Sequence, residues 1–386
     1  MAVCAAMLIT SNAAGVSTSP IARGAITRLA TDFDVIWQNN APYIADSQGQ
    51  LHKTTIDADL QLRLQAFIAE RGAPIASVVV VDVENGHVLS MVQGRSPSKW
   101  GASTHTALYS RFPAASLFKT VVTTAALEMT PTSPDQRFGL PGGCGGQDIT
   151  PTATWMNDRG SGSMSLRRAF GHSCNGFFAK LAINQLGIGA ITRYAKFFGW
   201  ESPIPIDVEL EPSRMMTPPA ANSTTHTVGR FAAGFGHVGI SPMHGAWVAS
   251  MIANKGVAKP VKVLDEGATS DIAMTDTPIY SEDTANRLMD VMRSTVHGGT
   301  AAHTFAKGKY RGLAREVAGK TGTLTGRTPA GLTSLFIGFY PVSNPKIAVS
   351  SVVVLEDRYV FKAPQLAAEA IATWKDQQER KKISHR

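Results

Sequence analysis

Hydrophobic positions recur along this chain at two different periods, and the changes of period divide it into elements. From Thr54 to Gly72 the run A-D-L-Q-L-R-L-Q-A-F-I-A-E-R-G spaces its apolar residues as a helix does and ends in glycine. The run I-A-S-V-V-V-V-D-V-E-N-G-H-V-L-S-M-V comes next, with Asn85-Gly86 between two β-branched stretches, the pattern of a β-hairpin. Helical spacing returns in Arg111–Met129, bracketed by Pro113 and Pro131, and Pro131–Gly162 then reads as an extended loop rich in Gly, Pro and Thr. Further helices are predicted in S-L-R-R-A-F-G-H-S, in N-G-F-F-A-K-L-A-I-N-Q-L-G and in Ile188–Phe198 before Gly199. Ser241-Pro242 opens another, with serine as N-cap and proline in the first turn, and Ser281–Val296 is one more. S-L-F-I-G-F-Y and I-A-V-S-S-V-V-V-L read as strands joined by the turn P-V-S-N-P-K, and a helix from Pro364 to about Trp374 closes the pattern.

Strands near both ends of the chain with helices between them predict an α+β fold, an antiparallel sheet of sequence-distant strands flanked by helices. Residues from about 15 to 50 carry no strong period and read as a loosely packed lead-in. The organisation read from the pattern is a lead-in over 1–52, one domain over 53–376 and a basic tail over 377–386.

Composition supports a globular protein: 386 residues, 44% hydrophobic and 17% charged, with ample material for a core. The formal charge of +8 points to an anionic neighbourhood such as a membrane surface or an acidic polymer. Part of it sits in the tail around Arg380, Lys381 and Lys382, which reads as solvated. Nucleic acid is disfavoured, because no basic stripe is interleaved with aromatics. Cys4, Cys144 and Cys174 have no metal-ligand spacing; Cys144 and Cys174 could pair in an oxidising compartment or stay free, and the free state is the favoured reading. Ala2–Ile9 is apolar and followed by small residues, like the apolar core and cleavage zone of an export signal, but the first positive charge is Arg23.

Candidate chemistry begins at Ser116, with Lys119 one helical turn later on the same face. A serine hydroxyl is a weak nucleophile until a base takes its proton, and a lysine among Leu117, Phe118 and Val122 can be neutral enough to do so. The bland alternative is that Ser116 caps a core helix. S-x-x-K alone does not decide, because Ser96–Lys99 and Ser343–Lys346 also match it; both carry an internal proline and lie in turn-like sequence. Two further motifs do discriminate. Ser173-Cys174-Asn175 is an S-x-N at a helix junction, and Lys320-Thr321-Gly322-Thr323 is a K-T-G-T at the start of a strand. In this order the three are the signature of serine acyl-transferring enzymes that react with penicillin.

Over residues 53–376 the chain resembles the transpeptidase domain of the high-molecular-mass penicillin-binding proteins, of the serine D,D-transpeptidase and β-lactamase-like superfamily. Besides the three motifs, the likeness rests on K-T-T-I-D-A-D-L-Q (53–61), the V-D-V-E-N-G-H-V-L-S-M-V hairpin, G-F-G-H-V-G-I-S-P-M-H-G-A-W-V-A-S-M-I-A-N-K-G (234–256), G-G-T-A (298–301) and S-L-F-I-G-F-Y-P (334–341). The resemblance implies a five-stranded antiparallel sheet with an inserted all-helical subdomain. It also implies a site in which Ser116 attacks a D-Ala-D-Ala peptide, Lys119 takes its proton and Ser173 relays a proton to the leaving amine. Asn175 would hold the substrate amide and Lys119. Lys320 would attract the substrate carboxylate, which Thr321 and Thr323 would bind, while Gly322 admits close approach. Backbone N–H groups of Ser116 and Thr323 would form an oxyanion hole, typically worth about 3 kcal/mol per donor. No metal or organic cofactor is implied. The implied partners are peptidoglycan stem peptides, β-lactams and cell-wall synthesis proteins, and the implied place is the bacterial cell envelope, periplasmic or on the outer face of the cytoplasmic membrane.

Three other readings share these motifs: a D,D-carboxypeptidase, a serine β-lactamase, and a sensor that is acylated without turning over. Glu209 and Glu211 fall where one β-lactamase class carries its deacylating glutamate, but E-L-E-P and E-P-S-R do not fit that element. His237 with His244, and His297 with His303, lack the carboxylates or cysteines of a metal site, and His172 reads as structural.

Overall fold

The computed structural model describes residues 26–29, 35–73, 75–94, 106–140, 143–144, 162–219, 224–265, 278–327, 330–356 and 359–384. The export-signal-like start, Cys4 and the Ser96–Lys99 copy of S-x-x-K lie outside them. The first strands among the described residues are three short ones, β1 (Ile36–Gln38), β2 (Ala41–Ala45) and β3 (Leu51–Lys53), paired antiparallel in that order. This corrects the reading of a loose lead-in for residues 36–52. Strands of three to five residues joined by a turn at Asn39-Asn40 give too short a run for any period to register.

Helix α1 (Ala58–Glu70) follows, its N-terminus capped by Asp57, whose side chain accepts from the Leu60 N–H. Then come β4 (Ala76–Asp82) and β5 (Val88–Gln93), the expected hairpin around Asn85-Gly86. Gly86 has φ +77°, and a Cβ there would stand 2.0 Å from the Pro260 carbonyl oxygen, so the turn has room only for glycine. Between this hairpin and the last strands lies the helical half. It comprises a short β6 (Phe112–Pro113), α2 (Lys119–Met129), the ribbon β7 (Arg137–Gly139) with β8 (Ser163–Ser165), α3 (Leu166–Gly171), α4 (Asn175–Leu181), α5 (Gly187–Phe197), α6 (Thr225–Ala232), β9 (Gly239–Ile240), α7 (Pro242–Ala253), α8 (Glu282–His297) and α9 (Ala302–Phe305). Ser241 caps α7 with Pro242 in its first turn, and Ser281 caps α8. The chain closes with β10 (Ala318–Arg327), β11 (Ala330–Tyr340), β12 (Ile347–Leu355) and α10 (Ala363–Ser384).

The main sheet has the order β10-β11-β12-β4-β5, every neighbouring pair antiparallel. Its central strands are buried on both faces, which is why β4 reads as an unbroken valine run: Val79 and Val81 join the core shared with α7 and α2, while Val78 and Val80 join the core shared with α1 and α10. The expected α+β fold with a five-stranded sheet and an inserted helical region is therefore present. Strand β10 forms one edge of the sheet and packs against α8 and the turn that leads into α2, while α7 covers β4, β11 and β12.

The tail also differs from expectation. Helix α10 continues through Ser384, and Gln377, 5% exposed, donates to Asp57 Oδ1 and Asp59 Oδ2 at 3.0 Å each. Arg380 and Lys381 add exposed ion pairs to Asp59 and Asp57. The basic residues that read as a solvated tail are opposite an acidic helix start, which a linear pattern cannot display. Gln377→Ala removes two hydrogen bonds to the carboxylates at that helix start, and should cost about 1–2 kcal/mol. Thermal unfolding followed by circular dichroism should show the loss, with the variant melting a few degrees lower.

Candidate active site

Ser116 lies in a 3-10 turn, Ala115–Phe118, that leads directly into α2. It does not cap the helix: no side-chain bond closes this N-terminus, which corrects the reading in which Ser116 doubles as N-cap. The turn is strained instead, with Ala115 at φ +46°, a conformation that costs an L-residue roughly 1–2 kcal/mol. Two contacts hold it. Gly234, at φ +85°, passes so close that a Cβ there would sit 1.8 Å from the Ala115 carbonyl oxygen. The Ala114 N–H donates to Val238 O at 2.8 Å, beside the β6–β9 pairing. The G-x-G of residues 234–236 thus acts as a buttress for the serine turn. Phe118 anchors the turn from below, edge-on to Trp200 at 5.4 Å, and Trp200 Nε1 donates to Gly239 O.

Lys119, the first residue of α2, is fully buried and reaches all the partners expected of it. Its Nζ lies 2.9 Å from Ser116 Oγ, 3.2 Å from Ser173 Oγ, 3.0 Å from the Ser173 carbonyl and 2.5 Å from Asn175 Oδ1. Burial, reinforced by the positive charge of Lys320, drives its pKa well below that of a free lysine. Lys320 is also fully buried, and burial brings its pKa down to about 7; its Nζ donates to the Thr321 carbonyl and lies 5.3 Å from the Phe170 ring. The Phe178 ring stands 5.5 Å from Lys119 Nζ. Neither ring was legible as part of the site.

Ser173 sits between α3 and α4 at φ +56°, so the junction is strained at the motif residue itself. The middle residue of the motif is covalently tied: Cys174 is disulfide-bonded to Cys144, and the Gly176 N–H donates to Cys144 O. This corrects the favoured reading of free thiols, since pairing depends on the fold bringing the loop of Cys144 back to α4.

Thr321 and Thr323 line the same cavity as Ser116, Ser173 and Asn175, a cleft of about 710 Å³. Gly322 allows the approach of strand and turn: a Cβ there would meet Ala114 O at 3.2 Å and Leu117 Cγ at 3.3 Å. Thr300, in the turn after α8, also lines the cleft, and its Oγ1 is 2.5 Å from Thr321 Oγ1. Sequence reading matched the stretch around Thr300 without giving that residue a role. Among the described residues lining the cleft none is acidic. Glu209 pairs with Arg28 and Glu211 accepts from the Ser110 N–H, both away from the cleft.

Among the described residues no three His, Cys, Asp or Glu side chains converge as a metal site. His244 is buried between Ser213 Oγ and the Phe198 carbonyl, and burial lowers its pKa to about 4, as suits a neutral core histidine. His172 lies at the cleft rim. Among the described residues no helix is long and apolar enough to cross a membrane.

A family model, the penicillin binding protein transpeptidase domain, matches residues 76–373. The peptidoglycan D,D-transpeptidase PbpA of Mycolicibacterium smegmatis is 28% identical over 322 residues, 73% of this chain and 62% of that protein. The penicillin-binding protein PbpB of the same organism is 24% identical over 351 residues, 83% of this chain and 52% of its own length. This chain therefore spans between half and two thirds of these relatives. Among solved structures, the D,D-transpeptidase domain of a peptidoglycan glycosyltransferase from Eggerthella lenta has a TM-score of 0.67 at 21% identity, covering 90% of this chain and 99% of that one. Penicillin-binding protein A from M. tuberculosis, as an imipenem acyl-enzyme, has a TM-score of 0.66 at 23% identity, covering 83% and 79%. At these identities the superpositions establish the fold.

The contact at Gly234 gives a test of the serine turn. Gly234→Ala must move either its own backbone or the Ala115 carbonyl, and the expected result is acylation of Ser116 by a reactive probe slowed ~100-fold. Stopped-flow acylation measures it; an unchanged rate would show that the buttress does not set the position of Ser116.

Proposed function

This chain belongs to the penicillin-binding protein transpeptidase family, and we propose that it is a serine D,D-transpeptidase working on peptidoglycan stem peptides in the cell envelope. The observation that carries the reading is the position of Lys119 Nζ, buried and within 2.5–3.2 Å of Ser116 Oγ, Ser173 Oγ and Asn175 Oδ1. A neutral amine there keeps one lone pair and two protons. The protons satisfy Asn175 Oδ1 and the Ser173 carbonyl, and the lone pair is left to take the Ser116 proton.

The proposed first step joins Ser116 Oγ to the carbonyl carbon of the penultimate D-alanine. Its proton passes to Lys119 and, through the Ser173 hydroxyl, to the leaving nitrogen as the C–N bond breaks and D-alanine departs. Oxyanion charge would be met by the N–H groups of Ser116 and Thr323. An amine from a second stem peptide then attacks the acyl ester, gives up its proton along the same route and regenerates the serine. A β-lactam would enter by the first step alone. Among the described residues lining the cleft none is acidic, so that lining offers no carboxylate of the kind one β-lactamase class uses to activate water. That lining supports transpeptidation over the β-lactamase reading.

Two buried lysines that repel one another titrate apart. Burial and the charge of Lys320 hold Lys119 well below the usual lysine range, and burial brings Lys320 down to about 7, so Lys320 keeps its charge up to about pH 7. That charge is suited to drawing in a substrate carboxylate. The second-order rate of acylation by a carboxylate-bearing β-lactam should accordingly fall as pH rises through about 7, since that constant follows the free enzyme. A rate that stays level into alkaline pH would remove Lys320 from this role.

Fluorescent penicillin labelling of the unsubstituted chain and of Ser116→Ala tests the whole reading. Label should appear only with Ser116 present and persist, then be discharged faster by an added amine acceptor. Label on the alanine variant would refute the nucleophile. Discharge within seconds in water alone would refute the transpeptidase in favour of a β-lactamase.

A further inference from the structure

The hydroxyl of Thr300 has no part in the chemistry above, yet it makes the closest contact to Thr321 in the cleft. Its Oγ1 lies 2.5 Å from Thr321 Oγ1, while Thr321 itself is 8% exposed. The turn that carries Thr300 is fixed on three sides. The Thr300 N–H donates to Gly171 O at 2.9 Å, just ahead of the Ser173 junction, and the Ala301 N–H donates to Thr295 O at 3.0 Å. Gly299 crosses α3 so tightly that a Cβ would stand 2.1 Å from Gly171 O. Thr300 is therefore held at the meeting of α8, α3 and β10, with its hydroxyl facing the strand that would receive the substrate.

We propose that Thr300 is a positioning residue for carboxylate recognition, donating its proton to Thr321 Oγ1 so that the Thr321 proton is turned toward a free carboxylate. Each threonine hydroxyl has one proton, and a carboxylate only accepts. The pair has two possible directions. If Thr321 donated to Thr300, it would present lone pairs to an incoming anion and repel it. If Thr300 donates, the chain Thr300 to Thr321 to carboxylate runs one way, and each bond polarises the next. The site then favours ligands ending in a free acid over neutral analogues of the same shape. This inference rests on the reading of the cleft as an acylation site for carboxylate-bearing substrates.

The readout is a ratio: the second-order rate of Ser116 acylation by benzylpenicillin divided by that for its methyl ester. A ratio is independent of the fraction of folded protein. Thr300→Val keeps the shape and removes the donor, and the ratio should fall about tenfold, the loss expected for one hydrogen bond feeding a charged group. Thr300→Ser should restore it. Because Thr300 acts through Thr321, the double variant Thr300→Val/Thr321→Val should show the same ratio as Thr321→Val alone. An unchanged ratio in Thr300→Val, a ratio not recovered by serine, or additive losses in the double variant would each overturn the proposal. If the unsubstituted chain shows no acylation that depends on Ser116, the functional reading fails and this inference with it. Ser116-dependent acylation with a ratio insensitive to Thr300 overturns this inference alone.

Discussion

Two lysine side chains, Lys119 and Lys320, are buried in one protein interior, and no described acidic residue lines the cleft between their elements. A buried cation is ordinarily paired or neutralised, because desolvation otherwise costs several kcal/mol. Here burial pushes both amines toward the neutral form, and they are surrounded by neutral acceptors at Asn175, Ser173 and the Thr321 carbonyl and by the ring faces of Phe178 and Phe170. A carboxylate in their place would favour the charged amine and, on the proposed reading, remove the base. The surrounding structure follows from that constraint. Helix α2 must start at Lys119, α4 must start at Asn175, and β10 must run along the sheet edge, since those are the elements that bring these groups together.

Holding three elements at one point requires backbone conformations that local sequence does not favour. Ala115 and Ser173 both adopt positive φ, and both flank or belong to the reactive motifs. Strain of this type persists only where neighbours over-determine it. At Ala115 the neighbours are Gly234 and the Val238 carbonyl. At Ser173 they are the Cys144–Cys174 disulfide and the bond from the Thr300 N–H to Gly171. Closing the 30-residue separation between the two cysteines is worth about 3–4 kcal/mol on loop-entropy grounds, ample to offset one strained residue.

Much of this was legible before any coordinates. The β4–β5 hairpin, the strands β11 and β12, the cap at Ser241 and the helix from Ser281 all follow from periodicity and terminal chemistry. The candidate site residues were singled out because three motifs occur in order and each falls in the kind of element the resemblance implies. What escaped was contact between residues far apart in sequence. No local pattern signals that Cys144 returns to Cys174, that Gly234 touches Ala115, or that Gln377 meets Asp57. The strands over 36–53 escaped for a different reason, since they are too short to carry a period. Reading Ser116 as a helix cap failed because the residue before it leaves helical geometry, and a strained alanine looks like any other alanine in sequence.

The glycines show how the two kinds of information combine. Gly234, Gly299 and Gly322 each lie where a Cβ would meet backbone or packed side chains of another element. Each lies in a stretch that sequence comparison could match but that propensity could not explain. Their common effect is to let the backbone approach neighbouring elements closely around Ser116, Ser173 and Thr321. Close packing of that kind resists deformation. A serine, a neutral amine and a threonine pair are ordinary groups in water. Here Lys119 Nζ is held 2.9 Å from Ser116 Oγ and Thr300 Oγ1 2.5 Å from Thr321 Oγ1, and on the proposed reading that positioning, fixed before a substrate arrives, is what would make them reactive.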